Sequence, residues 1–241
     1  MCTINWWFSG EVEMLALGAP AALDSPRSPA PSRIAFGGPF TVPSISWSPG
    51  PVHGMMLLLL PDAVHHLMGV DPNDWMNRLV DIGDVLPPDW LEMCALVAVE
   101  PDDDRRVDLI EDFLAPRWQA VQPQRALGLH RYAEWSEGLA LRAALSQTGR
   151  SLRQVERRIR RWAGQPLREL KGFGRAERAF FEMMASEDAR RPAWSALALD
   201  AGYSDQSHLC RVSRRITGCS PQELWDRIEH DEGFWPYRIW Q

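Results

Sequence analysis

The sequence predicts an α+β protein: a β-rich N-terminal half that also carries helices, followed by an all-helical C-terminal half. Three observations point there. Polar and apolar residues alternate in EVEM at 11–14, and an apolar run from Val52 to Leu60 has the length and composition of a buried strand. From Pro61 onward the apolar spacing turns helical, and the C-terminal half contains a repeat of helical units. With 241 residues, 45% of them apolar, the chain has room for one large domain or two modest ones and enough core to fold without staples.

Taken in order, the elements have local reasons. Between the two strand candidates, APAALDSPRSPAPS at 19–32 is rich in proline and serine and reads as a solvated loop. Asp71-Pro72 and Asp102 look like helix starts, and behind the latter Val107, Ile110, Phe113 and Leu114 recur at core spacing. PQRA at 123–126 marks the boundary into the helical region. The expected division is therefore 1–122, 123–230 and a short tail at 231–241.

The repeat has an offset of 54 residues. Arg157, Arg160, Arg161, Gly164, Glu169 and Leu170 fall on Arg211, Arg214, Arg215, Gly218, Glu223 and Leu224, while Val155 meets Leu209 and Trp162 meets Ile216. Upstream of each copy stands a glycine, Gly149 or Gly202, with a serine two residues on, Ser151 or Ser204, suited to cap the next helix. Helix, tight glycine turn, capped helix, twice over, is the pattern of helix-turn-helix units. On a helical wheel Leu152, Val155, Ile159, Trp162 and Ala163 form a core stripe, with Arg153, Arg157, Arg160 and Arg161 on an adjoining arc. In the second copy Leu209, Val212 and Ile216 make the stripe, and Gln206, Ser207, Cys210, Arg211 and Arg214 lie off it. Ser220-Pro221-Gln222-Glu223 then spells a capping box with proline at the first helical position. Pro166 stands where the matching helix after the first copy begins, with Gly172 and Gly174 weakening its continuation.

Charge is distributed unevenly. Residues 1–125 hold 7 basic and 17 acidic groups, residues 126–224 hold 17 and 11, and residues 225–241 hold 2 and 4. The net charge of −6 thus hides a basic middle part, and the local field decides which partners are attracted. A single basic helix such as SLRQVERRIRRWAG at 151–164 has three readings: a solvated face, a membrane-surface helix, or a nucleic-acid contact. The narrow apolar face argues against the membrane. Two copies ending in R-x-x-R-R-x-x-G argue for double-stranded DNA.

On these residues 137–224 resemble the DNA-binding domain of the AraC/XylS family of transcription regulators, and GYSDQSHLCRVSRRITGCSPQEL at 202–224 is close to the signature that ends its second unit. Two positions depart from the pattern: Ser213 stands where an apolar aromatic is common, and Ile159 takes the equivalent place in the first copy. The resemblance implies base-reading side chains on the exposed N-terminal half of each second helix. Those are Arg153, Glu156 and Arg157 in the first unit, and Gln206, Ser207, His208, Cys210 and Arg211 in the second. Arginine pairs with guanine O6 and N7, glutamine with adenine, and glutamate accepts from cytosine N4. Arg160, Arg161, Arg214 and Arg215, further along, are expected to meet phosphates and set register.

The N-terminal half resembles the less characterised domain found on a subset of these regulators, in INWWFSGE at 4–11, SWSPGPVHG at 46–54 and HHLMGVDPNDWMNRLVDIGDVL at 65–86. That resemblance implies a small barrel-like sensor followed by helices, modulated by a small-molecule effector or a partner protein. Trp6, Trp7, Phe8 and Trp47 are the candidates for an aromatic pocket, against the plainer reading of strand core. His53, His65 and His66 lack the spacing of a metal site, no cysteine pair is spaced for zinc or a disulfide framework, and no phosphate loop or nucleophile triad stands out. No enzyme, cofactor or metal is therefore expected. MMLLLL at 55–60 is cut by Pro61 and falls far short of the ~20 residues of a membrane span. MCTINWWFSGE shows no signal-peptide pattern, and a reducing cytoplasm is the expected location. RNA polymerase is a further expected partner of such a regulator. The other class left open is an adaptor whose N-terminal half binds a partner protein, with DNA contact secondary.

Overall fold

The computed structural model describes residues 1–19, 22, 24–121, 132–146, 151–185 and 193–238, except for the side chains of Trp235 and Pro236. It is an α+β fold with antiparallel sheets first and helices after. The strands are β1 (Cys2–Ser9), β2 (Glu13–Leu15), β3 (Arg27–Pro29), β4 (Ile34–Gly37), β5 (Ser46–Trp47), β6 (His53–Leu59) and β7 (Leu79–Asp81). The helices are α1 (Pro61–Met68), α2 (Pro88–Val99), α3 (Asp103–Val121), α4 (Tyr132–Leu145), α5 (Leu152–Ala163), α6 (Leu167–Met184), α7 (Trp194–Asp200), α8 (Gln206–Thr217), α9 (Pro221–His230) and α10 (Trp235–Arg238).

The chain divides into two compact units. One comprises Met1–Phe40, Ser44–Gly128 and Arg157–Gln165; the other comprises Thr41–Pro43, Leu129–Glu156 and Pro166–Gln241. The boundary expected at 123–126 and the turn at Gly149 lie outside the described residues.

In the first unit the strands make two open sheets, ordered β6-β1-β4-β7 and β3-β2-β5. The barrel-like closure expected from the resemblance is absent among the described residues. A barrel needs one continuous, staggered ladder, whereas here β7, β2, β3 and β5 are two or three residues long and the ladder ends at β6 and β7. Edge position also explains why β6 is not the fully buried strand its composition predicts. Its Leu59, Leu57 and Met55 sit opposite Cys2, Ile4 and Trp6 of β1 and face the core. Met56 and Leu58, on the other face, stay 55% and 45% exposed. The loop expected at 19–32 contains β3, which pairs with β2 because Glu13↔Pro29 and Leu15↔Arg27 fall in antiparallel register.

The core of this unit joins Ile4, Trp6 and Phe36 to Val64, Trp90, Cys94, Val97 and Ile110. Of the residues expected at core spacing on α3, Ile110 is buried, Phe113 and Leu114 pack against that core, and Val107 points to solvent. Asp102 starts α3 as expected, its carboxylate accepting from the Arg105 N–H at 3.0 Å. Asp71 caps only a 3₁₀ turn, Pro72–Trp75, through the Asn73 N–H. That turn stops two residues before Asn77, whose φ of 57° is left-handed.

In the second unit Gly172 and Gly174 lie inside α6 rather than ending it. A Cβ on Gly174 would stand 2.9 Å from Ala133 Cα, so this glycine lets α4 and α6 pack backbone to backbone. Glu177 of α6 accepts from the Tyr132 and Ala133 N–H groups at 2.7 and 3.4 Å, satisfying the first donors of α4. Around α7, α8 and α9 a second core gathers Met183, Leu197, Ala198, Tyr203, Leu209, Leu224 and Ile228.

Candidate nucleic-acid interface

The α7–α8 segment forms a helix-turn-helix by local chemistry. Gly202, at φ +81°, turns the chain out of α7 while the N–H of Tyr203 donates back to Ala198 O at 2.8 Å. Tyr203 is buried there, under the turn. The residue that caps α8 is Asp205, not the expected Ser204: its Oδ1 accepts from the His208 N–H at 2.7 Å, and Ser204 Oγ donates to its Oδ2 at 3.1 Å. The signal was present, since Asp205 stands immediately before the first helical residue and Ser204 one place too early. These hydrogen bonds, the backbone one foremost, hold the Asp205 carboxyl below its ordinary range. Gly218, at φ +80°, closes α8 by donating to Arg214 O at 3.0 Å, and the capping box of Ser220 and Glu223 opens α9 as expected.

With Leu209 and Ser213 buried and Val212 and Ile216 half-buried, α8 presents the opposite arc outward. Gln206, Ser207, Arg211 and Arg214 are exposed on that arc, and Cys210 is half-buried among them. Two expected contributors are engaged elsewhere. The His208 ring lies edge-on to Tyr203 at 5.2 Å, with Nδ1 3.2 Å from Ser204 Oγ. The Arg215 guanidinium is paired with Glu169 of α6 at 3.0 Å and lies 5.9 Å from the Phe173 ring. Ser213, the departure from the family pattern, is not a packing defect: its hydroxyl donates to Cys219 O at 2.8 Å, so the small polar side chain is satisfied where it is buried.

Ser151 caps α5 as expected, in a reciprocal arrangement with Gln154: the Gln154 N–H donates to Ser151 Oγ at 3.4 Å, and the Ser151 N–H to Gln154 Oε1 at 3.3 Å. Arg153, Arg157, Arg160 and Arg161 are exposed and Glu156 is half-buried. Arg153 and Glu156 belong to the second compact unit, and Arg157, Arg160 and Arg161 to the first. The core stripe expected on α5 is real only at its C-terminal end. Ile159 and Ala163 are buried, whereas Leu152 is 88% exposed, because a wheel assigns a face without supplying a neighbour to cover it.

In the first unit the four aromatic pocket candidates go separate ways. Trp6 is core, its Nε1 donating to Cys94 O at 3.1 Å. Phe8 lies under the Arg106 guanidinium at 3.5 Å and beside His53 at 5.1 Å, and Trp47 lies under Arg27 at 4.2 Å. Trp7, the next residue along β1 from Trp6, projects from the other face and is half-buried. A groove of 230 Å³ lies instead between α2 and α3, lined by Asp89, Glu92, Met93, Leu96, Leu109, Phe113 and Arg117. Of the histidines, His53 pairs with Asp103 at 3.1 Å, His65 Nδ1 stands 3.2 Å from Val70 O, and the His66 ring lies 5.8 Å from Trp162. Among the described residues no three His, Cys, Asp or Glu side chains converge on a point that holds a metal, and no helix is long and apolar enough to cross a membrane.

Compared by sequence, the chain matches no family model and no curated protein. Compared by structure, it is similar to crystal structures of ToxT from Vibrio cholerae. An apo variant of that protein is 13% identical over 93% of this chain and 88% of its own, with a TM-score of 0.42. A second ToxT structure is 12% identical over 95% and 90%, with a TM-score of 0.41. A third, with an unsaturated fatty acid bound to it, is 13% identical over 93% and 86%, with a TM-score of 0.39. At such identities and scores no residue role passes from those chains to this one.

Proposed function

We propose that this chain is a sequence-specific DNA-binding transcription regulator of the AraC/XylS kind, and not an enzyme, acting in the cytoplasm. The observation that carries the reading is α8: a helix capped by Asp205, closed by Gly218, packed on one face, and presenting Gln206, Ser207, Cys210, Arg211 and Arg214 on the other. An α-helix fits the major groove, and this outward arc holds a bidentate reader for guanine, one for adenine, and a basic residue for the phosphate beyond. In this reading α5 is the second reading helix, with Arg153, Glu156 and Arg157 over bases and Arg160 and Arg161 on phosphates. Residues 123–230 are the DNA-binding domain and residues 1–122 receive the signal, a small-molecule effector or partner protein that favours one state of the regulator over another. RNA polymerase is the partner through which a bound regulator acts.

The test is binding of the purified chain to promoter fragments, its own included, and to random duplexes through rounds of selection, across a salt series. The expected result is recovery of a defined motif bound at least 10³-fold more tightly than bulk duplex. Binding no stronger to any selected sequence than to bulk duplex sinks the reading. The second reading, an adaptor, has the α2–α3 groove in its favour; it gains if duplex binding is unselective while the first unit holds a protein partner.

A further inference from the structure

Helix α6 carries a second basic feature that the repeat does not contain. Arg168, Lys171, Arg175 and Arg178 recur at i, i+3, i+7 and i+10, all exposed on one face of the helix. At 1.5 Å per residue the stripe is about 15 Å long, roughly the axial span of four phosphates on one strand. Two observations make it more than a solvated face. The first is what the acidic side chains of α6 are doing. Glu177 caps α4, Glu169 is shared between Arg215 at 3.0 Å and Arg168 at 3.5 Å, and the half-buried Glu182, one turn beyond Arg178, has its Oε2 buried without a hydrogen-bond partner. Among the described residues no carboxylate stands within ion-pair distance of Lys171, Arg175 or Arg178.

The second is where α6 lies. Arg215, at the C-terminal end of α8, reaches Glu169 and Phe173 of α6, and its guanidinium passes over Gly172, 3.8 Å from where a Cβ would stand. At the other end, the Arg175 side chain runs beside Gly202, the turn before α8, with its guanidinium 6.0 Å from the Tyr203 ring. Two members of the stripe therefore stand near the ends of α8, Arg168 beside the Glu169 that holds Arg215 and Arg175 beside Gly202, within the same compact unit.

We propose that Lys171, Arg175 and Arg178, with Arg168 beside Glu169, grip the sugar–phosphate backbone of the duplex whose groove α8 enters. The inference rests on the DNA-binding reading and adds to it a contact surface that reads no base. It makes α6 a third anchor, and it explains why Arg215 is held by Glu169: that ion pair joins the two basic surfaces edge to edge.

The experiment compares the parent chain, the triple variant Lys171→Gln, Arg175→Gln, Arg178→Gln, and a control, Arg105→Gln, exposed on α3 of the other unit. Each is titrated with a selected duplex and with bulk duplex by fluorescence anisotropy from low to moderate salt. The expected result is a fall in the steepness of log K against log salt by about 0.9 for each phosphate released, two to three in total, with base preference unchanged and the control superimposed on the parent. A triple variant with the parent's slope and affinity overturns the α6 assignment while leaving the DNA reading intact. A parent that binds no duplex overturns the reading beneath it. Should the triple variant melt early, Lys171→Gln and Arg178→Gln are titrated singly, and a slope unchanged in both overturns the inference equally.

Discussion

Replacing Arg211 by alanine isolates the reading role of α8. The side chain is exposed and no carboxylate pairs with it among the described residues; its charge reaches Asp205 only at a distance, as one minor contribution to the lowered carboxyl. The α8 cap itself is a backbone hydrogen bond from His208 and survives the substitution. Folding stability should therefore change by less than about 0.5 kcal/mol. Binding is a different matter. A lost bidentate contact to guanine costs about 1–3 kcal/mol, or roughly 5- to 150-fold, and the loss belongs to one base position. Arg214→Ala, one turn nearer the C-terminus, should instead weaken all sequences alike and flatten the salt dependence by about 0.9. The assay is anisotropy against the selected duplex and a set of single-base variants of it. Arg211→Ala should bind the parent duplex and one variant set equally, while discriminating elsewhere as before. If Arg211→Ala lowers affinity uniformly and leaves every base preference in place, the assignment of this side chain to a base is wrong.

Four further outcomes follow from the same contacts. The hydrogen bond from the His208 N–H holds the Asp205 carboxyl below the ordinary range of an aspartate in the folded chain, so the stability it adds is present above that range and disappears as pH falls through the folded pKa; parent and Asp205→Asn should differ in melting temperature at neutral pH and converge in acid. Gly174→Ala should destabilise by about 1–3 kcal/mol because its Cβ would strike Ala133 Cα, whereas Gly172→Ala, meeting only the flexible end of Arg215, should be neutral or gain up to about 1 kcal/mol in denaturant titrations. Ser213→Ala should cost about 1 kcal/mol, the Cys219 carbonyl keeping its bond from Thr217, while Ser213→Phe overpacks the site and should cost about 1–3 kcal/mol more, read by calorimetry. Burial pushes the Cys2 and Cys94 thiols up to about 12, so a thiol reagent at neutral pH should label the half-buried Cys210 first, and bound duplex should protect it, as mass spectrometry of digests would show.

Much of the helical half was legible in the chain because its signals are local. Gly202 and Gly218 mark left-handed turns, Ser220 and Glu223 a capping box, and Ser151 a cap, each set by a few neighbouring residues. Strands were harder. The composition of β6 fits a buried strand, yet burial depends on having a neighbour on each side, and β6 has one only on the β1 side. Residue type likewise does not say which face of β1 is covered: of the pocket candidates Trp6 is core, while Trp7, Phe8 and Trp47 are half-buried.

By itself, the sequence determined a β-rich segment ahead of a helical half, the repeat of 54 residues, and the arc of α8 that turns away from Leu209. These depend on periodicity and on caps a few residues long, which no distant contact needs to complete. Only the tertiary structure decided what each arc meets. It leaves Leu152 bare, ties His208 to Tyr203 and Arg215 to Glu169, and requires a glycine at 174 against Ala133. It also sets Arg175 of α6 beside Gly202 and Arg168 beside the Glu169 that holds Arg215, juxtapositions of residues about 27 and 47 positions apart in the sequence. Proximity of that kind is paid for by burying apolar area elsewhere in the unit, so it leaves no mark in the spacing of the charges themselves.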